Sequence, residues 1–356
     1  MGSKEAPCPT LNLEEVKDCE CKGIAFEFTD TSETAVRECL AEREGTGFPL
    51  KEVTIRPEDD TEVTAHTPIY KGKNLVVLDE AEKARMIARA SGANGSCRSY
   101  IKRIAELLAR LGIEDAGVSP LWQAVQKTFF ESTMSEIRDR LKLLESALPR
   151  RMDGYALSPD SKLPMKALVY REVLIWRMVE LSRSALENLE NENLSSAVTL
   201  IRAALETTAG LWYLRTKLHT AVTTKSKDGV DDYLMKLLMG TRTIQELPQP
   251  MNVLNFVDRV NKDIEGFREQ YDNLSEFAHP NWAGTSLLYS KSDPKNLWTD
   301  FGKNMRGLNS TRQAGASNLS VALMIFERTY NTVADLMPAF VNLCSTSGKA
   351  AAPETT

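Results

Sequence analysis

The hydrophobic period of this 356-residue chain changes along its length, and that change limits the folds open to it. Before about residue 80, β-branched and alternating segments predict strands at 24–28, 50–55 and 61–67. Beyond residue 80, apolar residues recur every three to four positions as far as about residue 343, which predicts amphipathic helices. The expected fold class is therefore α+β, with a small β-containing part followed by an all-α helical bundle.

Turn residues divide the helical part. A short helix is expected from Ser32 between the first two strands, and a pair of helices follows Asp79, separated by the polar stretch 91–95 and stopped at Gly112. Long helices are then predicted at 125–147, 163–189, 194–218, 229–245, 252–278 and 314–343. Breaks are expected at 149–154, 248–250 and 290–317. We predict one domain over 1–125, a second over 126–345 and a disordered tail over 346–356.

Composition excludes several classes of protein. Apolar residues make up 42% and charged residues 26%, as in an average globular protein, and the net charge of -5 gives no overall attraction for nucleic acid or anionic membranes. Because no apolar run reaches the ~20 residues of a membrane span and the N-terminus lacks a signal-peptide core, we expect a cytoplasmic protein that makes no membrane contact. In that compartment, all six cysteines are expected to be reduced thiols without a metal: Cys8, Cys19, Cys21, Cys39, Cys97 and Cys344.

Three stretches of the first 125 residues form a recognisable pattern. They are Cys21-Lys22-Gly23-Ile24-Ala25-Phe26, Leu40-Ala41-Glu42-Arg43-Glu44-Gly45-Thr46-Gly47-Phe48, and the segment from Ile87-Ala88-Arg89-Ala90-Ser91-Gly92-Ala93-Asn94-Gly95 through Tyr100 to Leu121. Together they resemble the C-terminal three-fifths of ChaC-like γ-glutamylcyclotransferases. That resemblance implies a partial β-barrel domain and an enzyme that cleaves glutathione or another γ-glutamyl amine to 5-oxoproline.

The resemblance also implies roles for individual residues. Glu44, in the Arg-Glu pair, takes the place of the family's general acid and base. A carboxylate within ~3 Å of the substrate's α-amine can accept its proton and later return it to the leaving amine, without a metal or an organic cofactor. Arg43, Gly45, Gly47, Phe48 and Tyr100 are the predicted substrate-binding residues.

The pattern departs from the family at one point. The family's first strand and its Tyr-Gly-Ser-Leu loop, whose amides receive the substrate, are not found ahead of Cys8. Without those amides a developing oxyanion lacks donors worth ~3 to 4 kcal/mol each. Two alternatives therefore remain open: Glu44 is a solvated residue paired with a neighbouring arginine, or the domain is degenerate or completed by a partner.

A second resemblance covers residues of about 160–290. Leu274-Ser275-Glu276-Phe277-Ala278-His279 and the helix with Arg202 and Glu206 resemble the signatures of HEPN-like helical domains. The resemblance implies a homodimer through this domain and, in ribonuclease members, an Arg five to seven positions before the His. Those positions here hold Asp272, Asn273 and Leu274, so His279, Ser275 and Arg268 form only a possible second site.

More ordinary interpretations of the same residues stay open. His279 could simply favour the helix dipole and bond the last carbonyls. Arg202 and Glu206, four residues apart on one helix face, are expected to form a structural ion pair.

Three functions follow from these observations. The first is a γ-glutamylcyclotransferase acting through Glu44. The second is a non-catalytic sensor or interaction protein that combines a degenerate cyclotransferase domain with a HEPN-like dimerisation domain, in a stress or phage-defence response. The third is a ribonuclease using His279, which the acidic Asp272 disfavours because it would repel RNA phosphate.

Overall fold

The computed structural model describes residues 6–13, 20–44, 48–57, 59–71, 78–92, 95–307 and 309–346. The chain divides into two compact units, Met1–Glu131 and Ser132–Thr356. The domain boundary expected after residue 125 stays a prediction. The tail expected to be disordered lies outside the described residues from 347 onward.

The first unit combines short strands with helices. After a 3-10 turn at Asp30–Ser32 its elements are α1 (Glu33–Glu44), β1 (Leu50–Ile55), β2 (Val63–Pro68), α2 (Glu80–Arg89), β3 (Ser91–Gly92), β4 (Gly95–Ser96) and α3 (Cys97–Arg110). Helix α4 (Val118–Ser146) begins in this unit. The predicted strands at 50–55 and 61–67 are confirmed as β1 and β2, which pair antiparallel from Leu50 opposite Pro68 to Ile55 opposite Val63.

The turn between β1 and β2 is built by Asp59. Its Oδ1 accepts hydrogen bonds from the Thr61 hydroxyl at 2.7 Å and from the Thr61 amide at 3.1 Å. These bonds favour the ionised carboxylate and lower the pKa of Asp59. Arg56 and Glu62 face each other across the same turn at 3.0 Å. The turn chemistry predicted from the sequence thus sets the register of the hairpin.

Helices α2 and α3 form the core of the first unit. Asp79 and Ser96 cap their N-termini by accepting hydrogen bonds from Glu82 and Ser99. The buried cluster between them consists of Ala84, Ile87, Ala90, Cys97, Ile101 and Val125, the last contributed by α4. The helical period of the sequence therefore predicted these helices correctly, and the structure adds their caps.

The expected barrel is not seen in the described residues of this unit, where β1–β2 and β3–β4 are separate two-stranded sheets. The strand predicted at 24–28 is wrong. This segment has no secondary structure, and Ile24, Phe26 and Phe28 are exposed by 60%, 77% and 57%. An alternating pattern becomes a strand only where another strand pairs with it, and the described residues supply none here.

A disulfide joins Cys8 to Cys97, with Cα atoms 5.6 Å apart, so the expectation of reduced thiols throughout is wrong. The two cysteines are 89 positions apart in the sequence. Their pairing depends on the fold, because α3 begins with Cys97 inside the core that residues 8 and 9 approach, and spacing alone could not show this. Cys21, Cys39 and Cys344 are free, and Cys19 lies outside the described residues.

The second unit is helical, as predicted. Its elements after α4 are α5 (Gly154–Leu157), α6 (Leu163–Glu190), α7 (Leu194–Thr224), α8 (Val230–Met239), α9 (Val253–Asp263), α10 (Phe267–Ala278), α11 (Ser286–Tyr289), β5 (Ser290–Asp293), β6 (Trp298–Phe301) and α12 (Asn309–Thr346). Helix α7 lies at the centre and packs against α6, α9, α10 and α12. Its buried face includes Ile201, Leu205, Leu211 and Leu214.

Several helix boundaries differ from the predictions: α4 begins at Val118 rather than at 125, and α7 ends at Thr224 rather than at 218. The helix expected over 252–278 is two helices, because Gly266 adopts φ +85° between α9 and α10. The helix expected over 229–245 ends at Gly240, where a Cβ would lie 2.8 Å from the Pro250 Cα. The polar stretch 290–317 was expected to be a break, yet it contains the β5–β6 hairpin and the start of α12.

Candidate active site

The predicted catalytic residue lies at a helix end. Glu44 is the last residue of α1 and is followed, after a short connection, by β1 at Leu50. The side chains of Arg43 and Glu44 are not described, and Gly45 and Gly47 lie outside the described residues. Their roles therefore stay predictions, and the neighbouring described residues define the surroundings of this segment.

Helix α1 is tied to the hairpin. Arg37 Nη2 donates to His66 Nε2 on β2 at 3.4 Å, and its Nε donates to Glu33 Oε1 at 2.8 Å. Because a guanidinium only donates, His66 Nε2 acts as the acceptor. This hydrogen bond links a side chain of the helix that ends at Glu44 to a side chain of β2.

An aromatic pair follows Glu44 in the direction of β1. Phe48, a predicted substrate-binding residue, contacts Tyr70 with ring centroids 4.8 Å apart and planes tilted by 47°. Both residues are half-buried. Tilted aromatic pairs of this kind are stabilising, so Phe48 is held in place four residues after Glu44.

Tyr70 is fixed in turn by Asn12, a residue that sequence reasoning missed. The Tyr70 amide donates to Asn12 Oδ1 at 2.9 Å, and Asn12 Nδ2 donates to the Tyr70 carbonyl at 3.4 Å. No periodic pattern or motif marks Asn12, which sits in an exposed segment without secondary structure. Its role becomes visible only once the hairpin brings Tyr70 next to it.

Tyr100 lies elsewhere in the same unit. It is half-buried on α3 and packs against the α2–α3 core. The structure thus groups Phe48 with Tyr70 and Asn12, and places Tyr100 in the supporting core.

The possible second site is arranged around α10. Arg268 Nη1 donates to Asp258 on α9 at 2.6 Å, and its Nε donates to Asp272 at 2.9 Å. These bonds stabilise the cation and raise the pKa of Arg268. Two carboxylates therefore engage the one arginine that could have served the predicted ribonuclease pair.

Ser275 and His279 lie at the other end of α10. Ser275 Oγ donates to the Tyr271 carbonyl at 2.9 Å, within the helix. His279 is exposed at the C-cap, and its amide donates to the Ser275 carbonyl at 3.2 Å. This is the position at which a histidine can favour the helix dipole.

The predicted ion pair of α7 is present. Arg202 and Glu206 approach to 3.3 Å, and Tyr271 of α10 donates its hydroxyl to Glu206 Oε1 at 2.9 Å. The same hydroxyl accepts from Arg202 Nε at 3.3 Å. Burial raises the pKa of Tyr271. Each of the three side chains contacts the other two, as expected for a structural link between two helices.

In the part of the chain that the structure describes, no group of three or more His, Cys, Asp or Glu side chains is arranged to hold a metal ion. Of the helices described, none has the length and apolar character needed to cross a bilayer.

Comparison with known proteins gives one match. Neither a curated protein nor a solved structure matches the chain significantly. The model of a family described as ChaC-like protein matches residues 1–128. The match includes α1, the β1–β2 hairpin, both disulfide cysteines and the segment that carries Glu44, and it ends inside α4. The N-terminal part of this chain is therefore ChaC-like.

Proposed function

We propose that the first unit is a γ-glutamylcyclotransferase that releases 5-oxoproline from glutathione or a related γ-glutamyl amine. The match of residues 1–128 to the ChaC-like family carries this proposal. The resemblance of the Leu40 to Phe48 motif to that of the family supports the choice of Glu44 as the general acid and base.

The reaction needs one carboxylate and good orientation. The α-amine of the γ-glutamyl group attacks its own γ-carbonyl carbon, and the new N–C bond closes a five-membered ring. The amide C–N bond then breaks and releases Cys-Gly when the substrate is glutathione. Glu44 takes a proton from the attacking amine and returns it to the leaving amine. Since both reacting groups belong to one molecule, holding the substrate in a ring-closing conformation contributes much of the rate.

The described surroundings support this assignment. Arg37 of α1 donates a hydrogen bond to His66 of the hairpin, and the ring contact with Tyr70 holds Phe48, which follows Glu44 by four positions. The predicted substrate-binding residues of this segment lie within four sequence positions of Glu44: Arg43, Gly45, Gly47 and Phe48.

The test uses the full chain and two matched variants. Glu44→Gln removes the proposed base, and Glu42→Gln removes an exposed carboxylate two residues away on the same helix. We expect 5-oxoproline formation to fall about 10²- to 10⁴-fold in Glu44→Gln, the usual share of general acid–base catalysis, and to stay near wild type in Glu42→Gln. Equal rates in all three proteins would remove Glu44 from the mechanism.

For the second unit we propose a HEPN-like interaction domain that forms a homodimer in the cytoplasm. The engagement of Arg268 by Asp258 and Asp272 favours this role over ribonuclease activity. Light scattering of the full chain tests the dimer, and a monomer at micromolar concentration would contradict it. Cleavage of RNA that depends on His279 would instead support the nuclease.

A further inference from the structure

We infer that the Cys8–Cys97 disulfide is a thiol-sensitive clasp that positions the proposed cyclotransferase site through Asn12. The inference rests on the proposed function, which it extends to regulation. Residues 8–13 form no helix or strand, and residues 10–13 are exposed. Covalent attachment to α3 is therefore a main restraint on it.

A short series of contacts leads from the disulfide to Phe48, a predicted substrate-binding residue. Cys8 is bonded to Cys97 at the first residue of α3, inside the buried α2–α3 core. Four residues further on, Asn12 exchanges two hydrogen bonds with the backbone of Tyr70. Tyr70 contacts Phe48, which follows Glu44 by four residues. Release of Cys8 frees Asn12, and the restraint on Tyr70 and Phe48 weakens.

The two sulfur atoms differ in access. Cys97 is completely buried, whereas Cys8 is half-buried, so an incoming thiolate reaches Cys8 Sγ first. The S–S bond breaks and Cys97 leaves as a thiolate at the N-terminus of α3, where backbone N–H groups favour negative charge. A second thiol then attacks the mixed disulfide on Cys8. In total, two small thiols are oxidised to one disulfide, and Cys8 and Cys97 are reduced to two thiols.

The chemical class of the reductant follows from the proposed substrate. Glutathione carries a thiol, so the molecule that is cleaved can also open the clasp. In a reducing compartment, disulfides that persist are usually catalytic or redox-sensing. The oxidised protein, with Asn12 on Tyr70, is then the form with the positioned site, and an excess of reduced thiol lowers its activity.

The experiment separates the clasp from the chemistry. Hydrogen exchange of the Tyr70 amide, measured by NMR on the full chain, reports directly on the bond to Asn12. Exchange should accelerate about tenfold on reduction, as for the loss of one hydrogen bond of typical strength, and should return on reoxidation. Cys8→Ser, which leaves the buried Cys97 in place, and Asn12→Ala, which leaves the disulfide intact, should both reproduce the reduced state without reductant.

A matched control is provided by Cys39→Ser. Cys39 is a free, exposed thiol on α1, so this variant should keep the full redox response. An unchanged Tyr70 exchange rate on reduction of the wild-type disulfide would overturn the clasp.

Activity is followed in parallel with γ-glutamylalanine, a substrate that lacks a thiol and leaves the disulfide intact. The rate of 5-oxoproline formation should fall about tenfold on reduction, in step with the exchange rate, and recover on reoxidation. Equal activity in both redox states would overturn the inference while leaving the proposed function standing. Faster Tyr70 exchange on reduction, with no product in either state, would support the clasp and reject the cyclotransferase.

Discussion

Asn12 and Tyr70, 58 positions apart in the sequence, exchange two hydrogen bonds: the Tyr70 amide donates to Asn12 Oδ1 at 2.9 Å, and Asn12 Nδ2 donates to the Tyr70 carbonyl at 3.4 Å. An asparagine satisfies both groups of a backbone residue in this way, as a neighbouring strand would. The N-terminal segment is thus hydrogen-bonded to the chain two residues after β2 ends, at the tyrosine whose ring contacts Phe48.

The disulfide should be important for the stability of the first unit. It closes a loop of 89 positions, for which the chain-entropy model gives about 4.6 kcal/mol, and removal of native disulfides typically costs about 2 to 5 kcal/mol. Cys8→Ser should therefore accelerate hydrogen exchange of the α2 and α3 core amides, including those of Ile87 and Ile101. Cys39→Ser should leave these amides unchanged. Equal protection in both variants would show that the core does not depend on the disulfide.

Tyr271 should link α7 and α10. Tyr271→Phe removes the hydroxyl shared by Arg202 and Glu206, while their ion pair remains. We expect a loss of about 1 kcal/mol, or roughly 2 to 4 °C in the melting temperature of a unit this size. Calorimetry measures this change.

The control for this prediction is Tyr155→Phe, since Tyr155 is 79% exposed. It should melt with the wild type. Equal melting of Tyr271→Phe and Tyr155→Phe would mean that the three-residue network contributes nothing measurable.

The sequence predicted those elements whose signals are local. Turn chemistry and β-branched residues predicted β1 and β2, and the helical apolar period predicted α2 and α3. The segment 24–28 has an equally clear alternating pattern but no strand to pair with, so its conformation is decided by residues elsewhere. The apolar period predicts one helix over 252–278, because a single glycine such as Gly266 interrupts that period only weakly.

Predictions about the candidate site have the same limit. The Leu40 to Phe48 motif predicts Glu44 and Phe48 as site residues, because its residues are contiguous in the sequence. Asn12, Tyr70 and the Cys8–Cys97 pair act across 58 and 89 positions. Contacts between residues so far apart in the sequence depend on the packing of α3 and the hairpin, which a single sequence does not predict.

The helical unit should lose stability at high pH through a buried tyrosine. Burial raises the pKa of Tyr170 from its ordinary value of 10.0 to about 12. The folded state thus holds the phenol proton more tightly than the unfolded chain, so this stability is complete below pH 10 and is lost as the pH rises to about 12. Two pKa units correspond to about 2.7 kcal/mol.

The variant Tyr170→Phe removes this contribution. It should reduce the loss of unfolding free energy between pH 10 and 12, measured by denaturant titration at each pH. Tyr233 and Tyr330, whose pKa values are also raised by burial, should keep part of the effect. Tyr155→Phe, at an exposed position, should behave as the wild type, and an identical profile for Tyr170→Phe would exclude Tyr170 as a source.

The central claim is that Glu44 catalyses formation of 5-oxoproline, and a rate comparison tests it most directly. The full chain, purified without reductant, is incubated with γ-glutamylalanine and separately with glutathione, and 5-oxoproline is measured by mass spectrometry. The account predicts product from the wild type and from Glu42→Gln, and about 10²- to 10⁴-fold less from Glu44→Gln. Folded wild-type protein that yields no 5-oxoproline from either substrate, or a Glu44→Gln variant as active as the wild type, would contradict it.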